Sequence, residues 1–369
     1  CIYCDFNSYA GMEFRYKPFV KAMCADLGRG VSQYLEGEPD CAGAEVSTVF
    51  FGGGTPSVLT PKQIGRILEA AHARYKIAPD AEISMEANPG TISLEKFDGY
   101  LRAGVNRISM GVQVLDDLML KKLGRIHSAE GALETYALAL EAGFKRINLD
   151  FIFGLPGQNY AHLDRMIDRL LAVTPLPEHL SVYSLIVEEN TPLYVGVQKG
   201  LINVPGEDET AEMYERISER FTAAGYRQYE ISNWTRDLPC AHNLIYWHDQ
   251  RYLAFGPGAS GYWGNTRYTT LLGPGEYNQR LARVESVIVE RNVVSREDEI
   301  GEFMMLGLRL NSGISASEFA RRFGTDISSV FADELAYFYG LELLVREGDE
   351  IRLTERGRLL GNEVFARFI

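Results

Sequence analysis

Long apolar runs are missing from this 369-residue chain. None approaches the ~18–20 residues that a helix needs to cross a bilayer, so membrane insertion is not expected. Cysteine is scarce and odd in number: Cys1, Cys4, Cys24, Cys41 and Cys240 are all there is. That is no secreted disulfide framework, and the expected compartment is a reducing cytoplasm. Positive charge is also short. Lys and Arg number 37 against 50 Asp and Glu, a formal net charge of −13. Such a field repels phosphate backbones and disfavours nucleic acid as a partner. No second C-x-x-C follows "CIYC" and there is no H-x(3–5)-H, so structural zinc lacks ligands. The chain also opens without Met, and a segment in front of Cys1 is expected.

What is there alternates. "EVSTVFF" (45–51) reads as a buried strand. "TPKQIGRILEAAHARY" reads as a helix with Thr60 as N-cap and Pro61 at its first position. "AEISMEAN" alternates as a strand, and "SLEKFDGYLRAG" is a helix capped by Ser93 and closed by Gly104. Strands are expected near 45–51, 82–87, 105–112, 146–152 and 179–187, and a first helix over 14–35. That helix needs a strand before it, which is expected upstream of Cys1. An internal echo supports the pattern: "AGVNRIS" (103–109), "AGFKRIN" (142–148) and "AGYRQYE" (224–230). In each, Gly sits where a helix ends and a strand begins. Repeated αβ units of this kind build a mostly parallel sheet. Residues 188–207 read as a long loop, either a lid or a surface insertion. Residues 1–262 are expected to form the main domain, 263–297 a linker, and 298–369 a small winged-helix-like module of helix, helix, hairpin and helix. The second helix of that module carries Asp333 and Glu334 and no Lys or Arg, which favours packing or a protein partner over DNA.

Several residues carry chemistry. Alone, the C-x-x-C at 1–4 is half a zinc site, a redox pair or two unrelated thiols. The "DFNSYAG" that follows is loop-like, unlike the helix that a thioredoxin-type pair opens. "FFGGGTPS" (50–57) follows a strand and precedes a helix, so its backbone amides can approach a polar ligand closely. Glu86, Gln113, Arg125 and Asp150 fall at successive strand–loop junctions, the edge where ligands of parallel sheets gather. Each alone also reads as an ordinary strand end. "CAHNLIYW" (240–247) sets His242 beside Tyr246 and Trp247, which alone reads as a hydrogen-bonded structural histidine.

Taken in order, "YCDFNS", "FGGGTPS", "MEANPGT", "GVNRIS", "LGRIH", "NLDFIFGLPGQ", "YEIS" and "HNLIYW" resemble the HemW proteins over essentially the whole chain. These are radical S-adenosylmethionine relatives of oxygen-independent coproporphyrinogen III oxidase. The resemblance implies an α/β fold, a partial (β/α)6 barrel followed by the winged-helix-like module. It implies that Cys1 and Cys4 are two of three thiolates in a C-x-x-x-C-x-x-C loop holding a [4Fe–4S] cluster, the other expected upstream of residue 1. It implies S-adenosylmethionine contacts at Tyr3, Gly53, Gly54, Thr55, Glu86, Gln113, Arg125 and Asp150. The HNxxYW pattern implies haem at His242, Asn243, Tyr246 and Trp247, with Cys240 and His248 as alternative ligands. The "FGPGASGYW" loop (255–263) is a candidate wall of the same cavity. His72, His127, His162 and His179 read as surface or packing residues. True oxidases carry one more Cys where Phe6 stands here. That departure implies a haem chaperone with haem as cargo and acceptor haemoproteins as partners, respiratory ones among the candidates. Contact with membrane-bound partners would be peripheral. A radical decarboxylase of coproporphyrinogen III is the rival, and whether S-adenosylmethionine is cleaved stays open.

Overall fold

The computed structural model describes residues 1–9 and 11–369. The first two thirds run α1 (Tyr16–Arg29), β1 (Glu45–Phe51), α2 (Pro61–Arg74), β2 (Lys76–Ala87), α3 (Leu94–Arg102), β3 (Arg107–Gln113), α4 (Asp117–Lys122), α5 (Ala129–Glu141), β4 (Arg146–Phe153), α6 (Tyr160–Leu171), β5 (His179–Ser184), α7 (Pro192–Gln198), α8 (Glu207–Ala223), β6 (Arg227–Glu230), β7 (Asn233–Thr235) and α9 (Ala241–Trp247). Then come β8 (Ser260–Trp263), β9 (Thr266–Thr270), α10 (Pro274–Ala282), β10 (Ile288–Val293), α11 (Arg296–Gly307), β11 (Ile314–Ser315), α12 (Ala316–Phe323), α13 (Ile327–Val330), α14 (Ala332–Gly340), β12 (Leu344–Glu347), β13 (Glu350–Leu353), α15 (Glu355–Leu359) and α16 (Gly361–Phe365).

One seven-stranded sheet organises the molecule, in the order β1-β2-β3-β4-β5-β7-β6, curled as a half-barrel. β1 to β5 are parallel. The echoed glycines end α3, α5 and α8 with positive φ (Gly104 106°, Gly143 101°, Gly225 85°), the left-handed turn that lets each chain double back into a strand. The third strand launched this way, β6, pairs antiparallel with β7, and β7 runs antiparallel to β5. So the parallel order stops at β5, because only the two-residue return Ile231–Ser232 separates the last two strands.

Strand alternation assigns the two faces. Ile83, Met85, Ile108, Met110, Ile147, Leu149, Phe151, Leu180 and Val182 are buried in the main core. The intervening positions are polar: Glu82, Ser84, Glu86, Arg107, Ser109, Asn148, Asp150, His179 and Ser181. The apolar set lies under the helices, and the polar set is left for the concave face. α2 is fixed at its start by a capping box between Thr60 and Gln63, with Pro61 at its first position, and Ser93 caps α3.

Three expectations need correction. The helix expected over 14–35 ends at Arg29, where Gly30 takes a left-handed φ, and only a short 3-10 turn follows. The stretch 188–207 is not one loop: Thr191 caps α7 with Pro192 at its first position. Residues 263–297, expected as a linker, carry most of a three-stranded antiparallel sheet, β10-β9-β8, and α10. Leu271, Tyr277, Leu281 and Val287 bury a small core there against Ala22 of α1. The turn-rich sequence hid this unit because its strands are short.

The C-terminal elements have their own core, built on Phe303, Met304, Phe319, Phe323, Leu335, Phe338, Ile351 and Phe365. α12 and α14 precede the β12–β13 hairpin, and β11 adds a third strand in the order β11-β13-β12. The unit joins the sheet through β6: Asn311 N donates to Tyr229 O at 2.9 Å, and Asn311 Nδ2 to Gln228 O at 2.9 Å. No helix among the described residues is long and apolar enough to cross a membrane.

Candidate functional site

The N-terminal loop lies at the carboxyl edge of the sheet. Ile2 N donates to Leu123 O at 3.2 Å and Ile2 O accepts from Leu193 N at 2.9 Å, pinning the loop between α4 and α7. Cys1 is exposed, Cys4 is half-buried, and both are free thiols. Arg125 Nη1 stands 3.7 Å from Cys1 Sγ. Tyr3 lies between the two cysteines beside Arg125, and burial raises its hydroxyl pKa. Asn7 ties the end of the loop to Leu272 O at 2.8 Å, with Gly258 of the 255–263 loop packed against it. Phe6 is 59% exposed.

The glycine run divides its labour. A Cβ at Gly52 would fall 2.7 Å from the Phe50 ring, so that glycine serves packing. Gly53 has φ +104° and open space where a Cβ would point. Its N–H donates to Glu86 Oε2 at 3.0 Å. Gly54 abuts the Cys loop, with Ser8 Oγ 3.0 Å from its Cβ position, and Thr55 Oγ1 donates to Gly54 O. Gln113 closes β3 at φ 72°, unusual for a residue with a side chain. Arg125 Nη2 bridges Asn88 Oδ1 (3.0 Å) and Gly111 O (2.8 Å), which aims the guanidinium along the edge towards Cys1. Asp150 accepts from Asn148 Nδ2 at 2.7 Å and Ser109 Oγ at 3.0 Å. Burial, then the neighbouring Asp150 carboxylate, pushes Glu86 up to about 8. Burial also raises Asp150. Two half-buried carboxyls converging on a few hydrogen-bond donors favour a ligand that brings positive charge or hydroxyl groups.

The donor set for a cluster is partial. Among the described residues no group of three or more His, Cys, Asp and Glu is placed to hold a metal ion. Cys1 and Cys4 on one loop, with a guanidinium beside them, are the two thiols that the resemblance implies. Cys24, Cys41 and Cys240 are elsewhere: Cys24 lies on α1, Cys41 is buried beside Tyr75, and Cys240 precedes α9.

The second half of the site is α9, which packs against β1 on the concave face. Its N-terminus is held by one carboxylate. Glu82 accepts from the backbone N–H groups of Ala241 and His242, both at 3.1 Å, and from Cys240 Sγ at 3.3 Å. Arg107 Nε and Arg146 Nη2 approach the same carboxylate at 3.9 and 3.5 Å. Burial works to raise Glu82, but Arg107 and the two α9 amides outweigh it and hold the carboxyl below its usual range. The His242 ring then stacks flat on Phe50, centroids 4.9 Å apart and planes at 14°. Nδ1 is 2.9 Å from Thr48 Oγ1 and Nε2 is 3.1 Å from Tyr246 Oη. Burial pushes His242 down to about 4, so it is neutral at physiological pH. Tyr246 meets Tyr252 edge-on at 4.8 Å, and Arg309 covers the Trp247 ring at 4.5 Å. Every residue of α9, Asn243 included, is half-buried and none is fully enclosed.

The alternative ligands fare differently. Cys240 is buried, and its thiol is pushed up to about 11 by burial, so it is a poor thiolate donor. His248 is exposed at the end of the helix. His179 is a buried strut between Asn148 and Tyr229, His127 is buried against Val112 O, His162 closes the capping box of α6, and His72 is exposed on α2. Sequence reasoning missed Thr48, Phe50, Glu82, Ser109 and Asn148. The last three have a readable signal, since each is a polar residue on an inward register of a buried strand. Thr48 and Phe50 have none, because their role depends on where α9 returns.

The curled α/β half-barrel is the fold of the radical S-adenosylmethionine class, and free thiols and carboxyls lie at its carboxyl edge. Residues 1–170 match the Radical SAM superfamily profile and residues 294–360 that of the HemN C-terminal domain. A Bacillus subtilis (strain 168) protein named Heme chaperone HemW is 37% identical, over 100% of this chain and 96% of its own length. Its namesake from Escherichia coli (strain K12) is 35% identical over 100% and 94%. The chain belongs to the HemW family. A Bos taurus relative, Radical S-adenosyl methionine domain-containing protein 1, mitochondrial, is 34% identical over 85% of this chain and 71% of its own. Among solved structures, Escherichia coli coproporphyrinogen III oxidase (HemN) superposes with a TM-score of 0.83 over 100% of this chain and 86% of that one. At 22% identity that is a likeness of fold.

Proposed function

We propose that this protein is a haem chaperone that binds a [4Fe–4S] cluster and S-adenosylmethionine at the sheet edge and haem beside α9, and hands haem to acceptor haemoproteins. The observation that carries the reading is the shared concave face. Glu86 and Glu82 point the same way from β2, four residues apart, which is about 13 Å along a strand. One marks the edge with Cys1 and Cys4, the other holds the helix that bears HNxxYW.

When bound, the cluster supplies an electron and an open coordination site to S-adenosylmethionine. The chain's own residues do the rest. Gly53 and Gly54 leave backbone open for a polar ligand, with Thr55 beside them. Glu86 and Asp150 offer negative charge to the cationic parts of S-adenosylmethionine, and Arg125 offers a donor fork to its carboxylate. Gln113 and Tyr3 close the sides. Around α9, the His242 imidazole is the proposed iron ligand, with Tyr246 and Trp247 as aromatic walls and Asn243 as a polar neighbour. The 298–369 module is the proposed contact for acceptors, since its second helix presents carboxylates rather than cations.

The test is a haem titration of the protein with its cluster, followed by Soret absorbance, beside His242→Ala. Saturable binding with an altered spectrum in the variant supports the reading. No specific binding sinks it. Consumption of coproporphyrinogen III under anaerobic reducing conditions with S-adenosylmethionine would show the decarboxylase instead.

A further inference from the structure

The His242 ring has no free nitrogen. Nε2 meets the Tyr246 hydroxyl at 3.1 Å and Nδ1 meets Thr48 Oγ1 at 2.9 Å. An imidazole binds iron through a nitrogen lone pair. If Nε2 is the acceptor, its lone pair takes the Tyr246 O–H. If Nε2 carries the proton, it points that proton at Tyr246 Oη. In both tautomers Nε2 is closed to a metal.

The two partners differ in kind. Thr48 sits in β1, within a parallel sheet and paired with Glu82 of β2, so its position is set by the strand. Tyr246 stands one turn along the same helix as His242, the spacing at which side chains on a helix meet. Its other aromatic contact is the edge-on Tyr252 ring, and it is only half-buried. The Thr48 backbone is held in a sheet ladder, whereas Tyr246 stands near the end of the seven-residue helix α9.

We propose that Tyr246 is a gate on the haem-binding imidazole and that Thr48 is the residue that orients it, an inference that rests on His242 as the haem ligand. With the gate closed, Tyr246 satisfies Nε2. On haem entry the hydrogen bond between Tyr246 and Nε2 breaks, the phenol turns to water, and the Nε2 lone pair is donated to iron. No electrons transfer and no proton leaves the pair. In the haem-bound state Thr48 Oγ1 accepts a hydrogen bond from Nδ1–H, the tautomer in which Nε2 carries the lone pair, as outer partners of metal-bound histidines do. The flat Phe50 ring beneath keeps the imidazole plane in place while the phenol moves.

Deleting each hydroxyl alone gives effects of opposite sign. Tyr246→Phe removes a competitor for Nε2, so haem should bind about three- to tenfold tighter, the worth of one neutral hydrogen bond. Association should also be faster, with the wild-type Soret position retained. Thr48→Val removes the orienting partner and should weaken binding by about the same factor. Haemin titration and stopped-flow association of the cluster-loaded full chain read both, with thermal melts confirming that each variant folds. Tyr246→Phe keeps the aromatic wall and is assayed below its own melting transition. Unchanged or weaker binding in folded Tyr246→Phe overturns the gate, as does tighter binding in Thr48→Val. His242→Ala separates the two levels. If it removes the ligand signature while Tyr246→Phe changes nothing, only the gate fails. If it leaves affinity and spectrum unchanged, the haem site at α9 fails and the gate with it.

Discussion

At the scale of single residues, Glu86 carries the clearest consequence. Its carboxyl sits at about 8 in the fold, because burial and Asp150 both disfavour its charge, against 4.5 when free. Between those values the folded state holds a proton that the unfolded state has lost. The native form therefore binds more protons, and this residue's contribution to stability falls as pH rises from about 5 to 8. Glu86→Gln removes that slope. The variant should melt on the order of a few degrees higher than wild type at pH 8.5 and close to it at pH 5. A pH-independent difference in a melting series would refute the assignment. S-adenosylmethionine is cationic, so its binding near pH 7 should release a proton in wild type and not in Glu86→Gln. Calorimetry in buffers of different ionisation enthalpy reads that directly.

At the scale of elements, α9 is positioned by a carboxylate from another element. Glu82 replaces the side-chain N-cap that the helix lacks. It also faces Arg107, which is 2% exposed and would be stranded without it. Glu82→Gln should cost about 2–4 kcal/mol in denaturant unfolding, because it leaves that guanidinium buried and unpaired. The double variant Glu82→Gln, Arg107→Met should recover part of the loss. Strict additivity in the double-variant cycle would show that the pair is not coupled. The same loss should loosen His242, whose backbone N–H is one of the two that Glu82 accepts.

At the scale of the whole molecule, the C-terminal unit is fastened beside α9 rather than tethered at a distance. Glu230 is fully buried at the end of β6 and stands 3.9 Å from Arg309, whose guanidinium also lies over Trp247. Burial raises Glu230, and Arg309 opposes this only in part. Arg309→Met should therefore lower stability by about 1–3 kcal/mol, a range reduced for the partial exposure of the arginine. It should also change Trp247 fluorescence, since the ring loses its cation. An unchanged melt and emission spectrum would remove this contact from the account of how the two units communicate.

The local pattern of the sequence determined a good deal. Alternation in "AEISMEAN" and "RISMGVQ" decided which side chains lie under helices. Caps at Thr60 and Ser93 decided where helices begin, and the echoed glycines decided where they end. Glu86, Gln113, Arg125 and Asp150 were readable as an edge cluster, because successive strand ends of a parallel sheet converge on one rim. Short strands escaped notice at 260–293, where periodicity has too few residues to show. The state of His242 was decided only by the tertiary structure. Its ring is set by Thr48 and Phe50 and its helix by Glu82, residues 194, 192 and 160 positions away in the chain. Nothing in a local window encodes such pairs. Periodicity tells a side chain which face to take, whereas its hydrogen-bond partners depend on which distant strand the returning chain packs against.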